Sequence, residues 1–250
     1  MYDTLTIAAI ASTFLLAGAV KGVIGLGLPT VSLAILTVLI DIPSAMALLL
    51  VPSFVTNFYQ ALVGGHGLMI LRRLWPFMLM ATATVWLGAT ALTRIDLSLL
   101  STLLGLLITT YGAISLAGIR PAVRSSREVW LGPVAGAVNG ILTGMTGSFV
   151  VPGVMFLQAI GLARDQLVQA MGILFTLSTL ALGVVLEANS LLTLDQGQMS
   201  AAALVPALVG MVVGQRIRQL LSEQLFRRVV FTALLFLGLY IIANGIGNLA

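Results

Sequence analysis

The chain has 250 residues, of which 59% are hydrophobic and 8% charged, and its 12 Lys+Arg outnumber its 8 Asp+Glu. Soluble domains carry about 25% charged residues, so a wholly water-facing surface is excluded and most side chains must be solvated by lipid or by other helices. The cations sit in short clusters between apolar runs, which excludes a nucleic-acid surface, and the absence of Cys excludes disulfides and thiolate metal sites.

Apolar segments run at 4–20, 28–40, 44–63, 74–92, 97–118, 130–143, 149–161, 166–186, 199–214 and 225–247. Six or seven reach the length of about 20 residues needed to span a bilayer, whereas the second, sixth and seventh are short. The N-terminus lacks a basic region, so no cleaved signal peptide is expected. If all ten segments cross, Lys21, Arg72, Arg73, Arg120, Arg124, Arg127, Arg164, Arg216, Arg218, Arg227 and Arg228 fall on one side, with Arg94 alone opposite. The positive-inside rule selects this parity and sets both termini on the non-cytoplasmic side. Asp3, Asp41, Asp96, Glu187 and Asp195 then face outward. No carboxylate falls inside an apolar segment, so no acidic proton relay is readable.

The chain also repeats itself. Residues 17–24 read AGAVKGVI and residues 135–142 read AGAVNGIL, each followed by a Gly-rich stretch and a proline. Further on, the stretch from Gly88 to Arg94 resembles that from Gly210 to Arg216, and Tyr111 and Tyr240 hold similar places. Each copy contains five segments, an odd number, so the second copy is inverted relative to the first. The expected fold is therefore all-α and polytopic. Two inverted five-segment repeats, residues 1–125 and 126–250, carry broken or re-entrant Gly-rich helices at the midplane. Such breaks are a mark of secondary transporters.

The breaks are where chemistry is expected. Asn139 lies nine residues beyond the interface anchor Trp130, about 14 Å along a helix, near the middle of the hydrocarbon. The sequence match sets Lys21 opposite Asn139, so Lys21 is also expected deep; the competing reading is a helix-end lysine that reaches the interface. Non-helical backbone survives at that depth only in protein or beside a wet cavity. After each break a short helix is expected to start, at Pro29 or near Ser148, with a positive end that favours an anion. Expected substrate-binding residues are Lys21, Gly25, Gly27, Pro29, Asn139, Thr143, Gly144, Thr146, Gly147, Ser148 and Pro152, with Asn57 and Gln60 on one face of the third segment. Gln169, Thr176 and Thr179 hold comparable places in the eighth; these amides and hydroxyls either line a pathway or bond between helices. Asp41 and Asp165 read as N-caps, Trp75 and Trp130 as interface anchors, and His66 carries no assigned role.

The breaks, quoted as Ala17-Gly-Ala-Val-Lys-Gly-Val-Ile-Gly-Leu-Gly-Leu-Pro29 and Asn139-Gly-Ile-Leu-Thr-Gly-Met-Thr-Gly-Ser-Phe-Val-Val-Pro152, resemble those of the TauE/SafE family of sulfite exporters and sulfonate permeases. The family's commoner pattern is Gly-x-Gly-Gly-Gly with a later proline, and the first copy departs from it by bringing Pro29 close. The resemblance implies a multi-pass bacterial inner-membrane transporter of sulfite, organosulfonates or related organic acids, often an exporter. The expected partners are the lipid bilayer and a small anion, with no cofactor and no nucleic acid. A homo-oligomer and a coupling ion, H+ or Na+, are compatible with this reading. A channel-like anion pore and an intramembrane assembly factor are the alternatives. An enzyme is not expected, since no buried Ser/His pair or paired acidic motif is present.

Overall fold

The computed structural model describes residues 3–119, 122–220 and 222–248, with the side chain of Glu223 excepted. Arg120, one of the counted cations, lies outside the described residues. The described chain is helical and contains no strand. In order, the helices are α1 (Thr4–Ile24), α2 (Leu28–Leu39), α3 (Ile42–Leu62), α4 (Gly67–Ala83), α5 (Val85–Leu92), α6 (Leu97–Ala117), α7 (Ser125–Thr146), α8 (Gly153–Ala159), α9 (Arg164–Ala188), α10 (Leu194–Leu220) and α11 (Glu223–Gly247). Among the described residues, seven stretches are long and apolar enough to cross a membrane: Thr4–Ile24, Ile42–Leu62, Gly67–Leu92, Leu97–Ala117, Arg164–Ala188, Leu194–Leu220 and Gln224–Gly247. A multi-pass membrane protein follows from this array.

Local chemistry explains the boundaries. Asp3, Asp41 and Asp96 begin α1, α3 and α6, and each carboxylate accepts a first-turn N–H, from Thr6 at 3.1 Å, Ser44 at 2.8 Å and Ser98 at 2.7 Å. These satisfy donors that a helix start leaves orphaned. Asp165 differs from expectation: the residue before α9 is Ala163, and Asp165 sits within the first turn. The expected fourth segment starts earlier, at Gly67, and is broken at Thr84, whose hydroxyl donates to the Met80 carbonyl at 2.7 Å and the Ala137 carbonyl at 2.9 Å. Within α3, Pro52 cannot donate to the Leu48 carbonyl, and Ser200 of α10 donates there instead at 2.8 Å.

Small residues set the packing. A side chain on Gly18 or Gly22 of α1 would overlap the carbonyls of Ala207 or Met211 in α10, and one on Gly210 or Gly214 those of Leu15 or Ala19. In the same way, Gly136, Gly140 and Gly144 of α7 rest on the carbonyls of Phe77, Ala81 and Val85, and Gly88 of α5 rests on that of Ile141. Without a hydrophobic drive between helices in lipid, such close backbone approach carries the association. α3 packs on α9 and α6 on α11.

Candidate functional site: a buried lysine at a helix break

Two helices stop inside the packed core. Gly25 ends α1 with φ 86°, and its N–H bonds the Lys21 carbonyl at 2.7 Å; Gly147 ends α7 with φ 72°, and its N–H bonds the Thr143 carbonyl at 2.7 Å. These left-handed closures are cheap only for glycine. Measured from the two caps, Lys21 holds the place of Thr143. Asn139, which the sequence match set opposite Lys21, lies one helical turn earlier. Gly27 then caps α2 without a side chain, with Pro29 in its first turn, as expected. The second short helix starts later than expected: residues 148–152 are non-helical and α8 begins at Gly153, behind Pro152. Its first N–H is already taken by Asn139 Oδ1 at 2.9 Å, so the expected anion-binding start near Ser148 is not formed.

Lys21 is 5% exposed and Asn57 is fully buried. The Lys21 ammonium donates to Asn57 Oδ1. Asn57 Nδ2 donates to Ser53 Oγ at 3.0 Å, and Ser53 Oγ shares a hydrogen bond with Thr179 Oγ1 at 3.2 Å. A polar thread thus runs from α1 through α3 to α9 inside an apolar core. No carboxylate among the described residues bonds Lys21; Asp3, Asp41 and Asp96 cap helices, and Glu128 pairs with Arg73. A buried ammonium with one neutral acceptor lacks the charge partner that burial ordinarily demands.

The remaining expected residues divide by location. Thr143 Oγ1 donates to the Ser148 carbonyl at 3.0 Å, and Thr146 Oγ1 accepts from the Ser148 N–H at 3.2 Å, so both hold the second break in shape. Gly147 rests near Met46 and Leu33, which brings that break against α2 and α3. Asn139 Nδ2 is buried without a hydrogen-bond partner among the described residues. Gly144 belongs to the crossing with α5. Gln60 lies away from Lys21: it donates to the Val168 carbonyl of α9 at 2.7 Å. Gln169 ties α9 to the loop before α4, bonding the Ala61 carbonyl at 2.8 Å and the His66 N–H at 2.9 Å. Ser53 was missed by sequence reasoning. Its signal was its position four residues before Asn57, on the same helical face.

The family described as sulfite exporter TauE/SafE matches residues 10–241, a range that includes both breaks and the whole polar thread. No curated protein and no solved structure matches the chain.

Proposed function

The chain belongs to the sulfite exporter TauE/SafE family, a family of membrane transporters, and on that premise we propose that it carries a small anion by alternating access around Lys21. The proposed cargo is sulfite, an organosulfonate or a related organic acid. The observation that carries this reading is the buried Lys21 ammonium, bonded to the neutral Asn57 amide and to no carboxylate among the described residues. An arriving anion supplies the missing charge, while Asn57, Ser53 and Thr179 offer hydrogen bonds to its oxygens. The start of α2, which has no side-chain cap, adds the positive end of a helix beside the same break.

We place this site between two inverted repeats, α1–α6 and α7–α11, joined through residues 118–124. The packing supports that division. Gly18 and Gly22 rest on Ala207 and Met211 as Gly140 and Gly144 rest on Ala81 and Val85, and Gly214 rests on Ala19 as Gly88 rests on Ile141. The charge parity, with both termini outside the cytoplasm, rests on the distribution of Lys and Arg between the apolar segments. A bacterial inner membrane and the export direction complete the reading.

The test is binding and flux with Lys21→Ala. Purified protein is screened by thermal shift against sulfite, methanesulfonate, thiosulfate and small carboxylates, and the best ligand is followed into proteoliposomes. The expected result is selective stabilisation of the native protein and saturable flux, both lost in a Lys21→Ala protein that remains monodisperse. Unchanged affinity in the variant overturns the role of Lys21, and flux that does not saturate favours an anion pore.

A further inference from the structure

A basic cleft where α6 ends and α11 begins takes no part in the proposed transport site. It encloses about 460 Å3 and is lined by Ser115, Leu116, Gly118, Gln224, Arg227, Arg228 and Phe231. α6 closes at Ala117 and the apolar span of α11 opens at Gln224, so the cleft lies where hydrocarbon gives way to the headgroup layer. Its floor is rigid. Buried Phe231 meets the Tyr111 ring edge-on at 5.3 Å, and the Arg227 guanidinium lies over its face, 5.6 Å from the centroid. Arg227 is thereby held at the mouth while exposed Arg228 stands beside it. Among the described residues, no acidic side chain lines the cleft.

Further along the span, Leu235, Leu239 and Ile246 fall on the stripe of α11 that carries Arg228, with Leu239 and Ile246 exposed, an apolar track for an acyl chain. Two forked guanidiniums above such a track match a phosphate monoanion tethered to hydrocarbon. We propose that this cleft is a binding site for an anionic phospholipid, with Arg227 and Arg228 on the phosphate and the acyl chains along α11. The headgroup would tie α11 to the end of α6 without entering the transport path.

Native mass spectrometry of the full chain in detergent, with phosphatidylglycerol or phosphatidylcholine at equal concentration, tests this. The expected result is selective retention of phosphatidylglycerol, falling by about tenfold to thirtyfold in the Arg227→Gln/Arg228→Gln protein, given about 1 kcal/mol per cation at an anionic surface. Arg228→Gln alone, which leaves the ring contact intact, is expected to lose part of the binding even if the double variant is poorly folded. Retention unchanged in Arg228→Gln and in the double variant overturns the proposal. So does an equal loss in Arg94→Gln, a charge change at the other end of the bundle, or equal retention of both lipids by the native chain. Full displacement of phosphatidylglycerol by millimolar inorganic phosphate would make free phosphate the occupant and would overturn the lipid assignment.

Discussion

Asn57→Asp converts the partner of Lys21 into a counter-ion with almost no change in shape. In the native protein the Asn57 amide oxygen accepts from the ammonium, and the amide nitrogen donates to Ser53. In the variant a carboxylate would occupy the same place, and the Ser53 hydroxyl would turn to donate to it. Two unit charges about 4 Å apart interact by about 4 kcal/mol at an effective dielectric of about 20. The internal carboxylate thus offers Lys21 what the transported anion is proposed to offer, and an incoming anion meets a neutral pair. Affinity should fall by up to about a thousandfold, less whatever the buried carboxylate loses in hydration. Folding should survive, because both charges are partnered. The assay is sulfite or sulfonate binding by thermal shift, followed by uptake into proteoliposomes at rising concentration. A variant with a native melting temperature and a saturation curve shifted far to the right, or flat, is expected. A native curve would refute the reasoning, since it would mean that the anion does not use the charge on Lys21.

Three further outcomes are expected. Gly214→Val places a side chain on the Ala19 carbonyl and should cost about 1–3 kcal/mol or prevent folding, whereas Gly197→Ala, with open space around it in the same helix, should be neutral or stabilising; equal melting temperatures for the two would count against the close α1–α10 crossing. Glu128→Gln removes the paired contacts to Arg73 at 2.8 and 2.7 Å; because the Arg73 side chain is 35% exposed, the loss should be about 1 kcal/mol or less, and the gap to the native melting temperature should narrow in high salt. The chain has no Cys, so single cysteines report sidedness directly: Thr93→Cys should react with an impermeant maleimide in intact cells and Ser126→Cys only after permeabilisation, and the reverse pattern would invert the proposed topology.

Much of this was legible because lipid imposes strict rules. Composition alone fixes the membrane class, and Gly25, Gly27 and Gly147 announce helix ends that no other residue closes as easily. Asn57 was readable as a polar residue in an apolar segment, but its contact with Lys21 depends on how α1 and α3 pack, which no local signal encodes. The same holds for Gln60, whose face turns toward α9 rather than α1. The caps at Gly25 and Gly147 pair Lys21 with Thr143, one turn from the sequence match with Asn139, for a physical reason. Gly136, Gly140 and Gly144 recur at four-residue spacing because one face of α7 must lie against backbone carbonyls, so sliding the alignment by one turn still matches glycine to glycine. Only the capping glycines, where backbone geometry rather than packing chooses the residue, fix the register.

The proposed halves differ at their capping turns. The residue whose carbonyl receives the capping N–H is Lys21 in one and Thr143 in the other. Thr143 spends its hydroxyl locally, on the Ser148 carbonyl, and so braces its own break. Lys21 makes no such local bond; it reaches across to Asn57 and through it to Ser53 and Thr179. Both breaks keep the backbone bond of their capping glycine; the second gains a side-chain brace from Thr143, whereas the Lys21 side chain joins a thread for which the proposed anion would compete. An anion that draws the ammonium away from Asn57 loosens the tie between α1 and α3 and leaves the second break unaltered. In the proposed mechanism, the half that moves is the one that carries the charge.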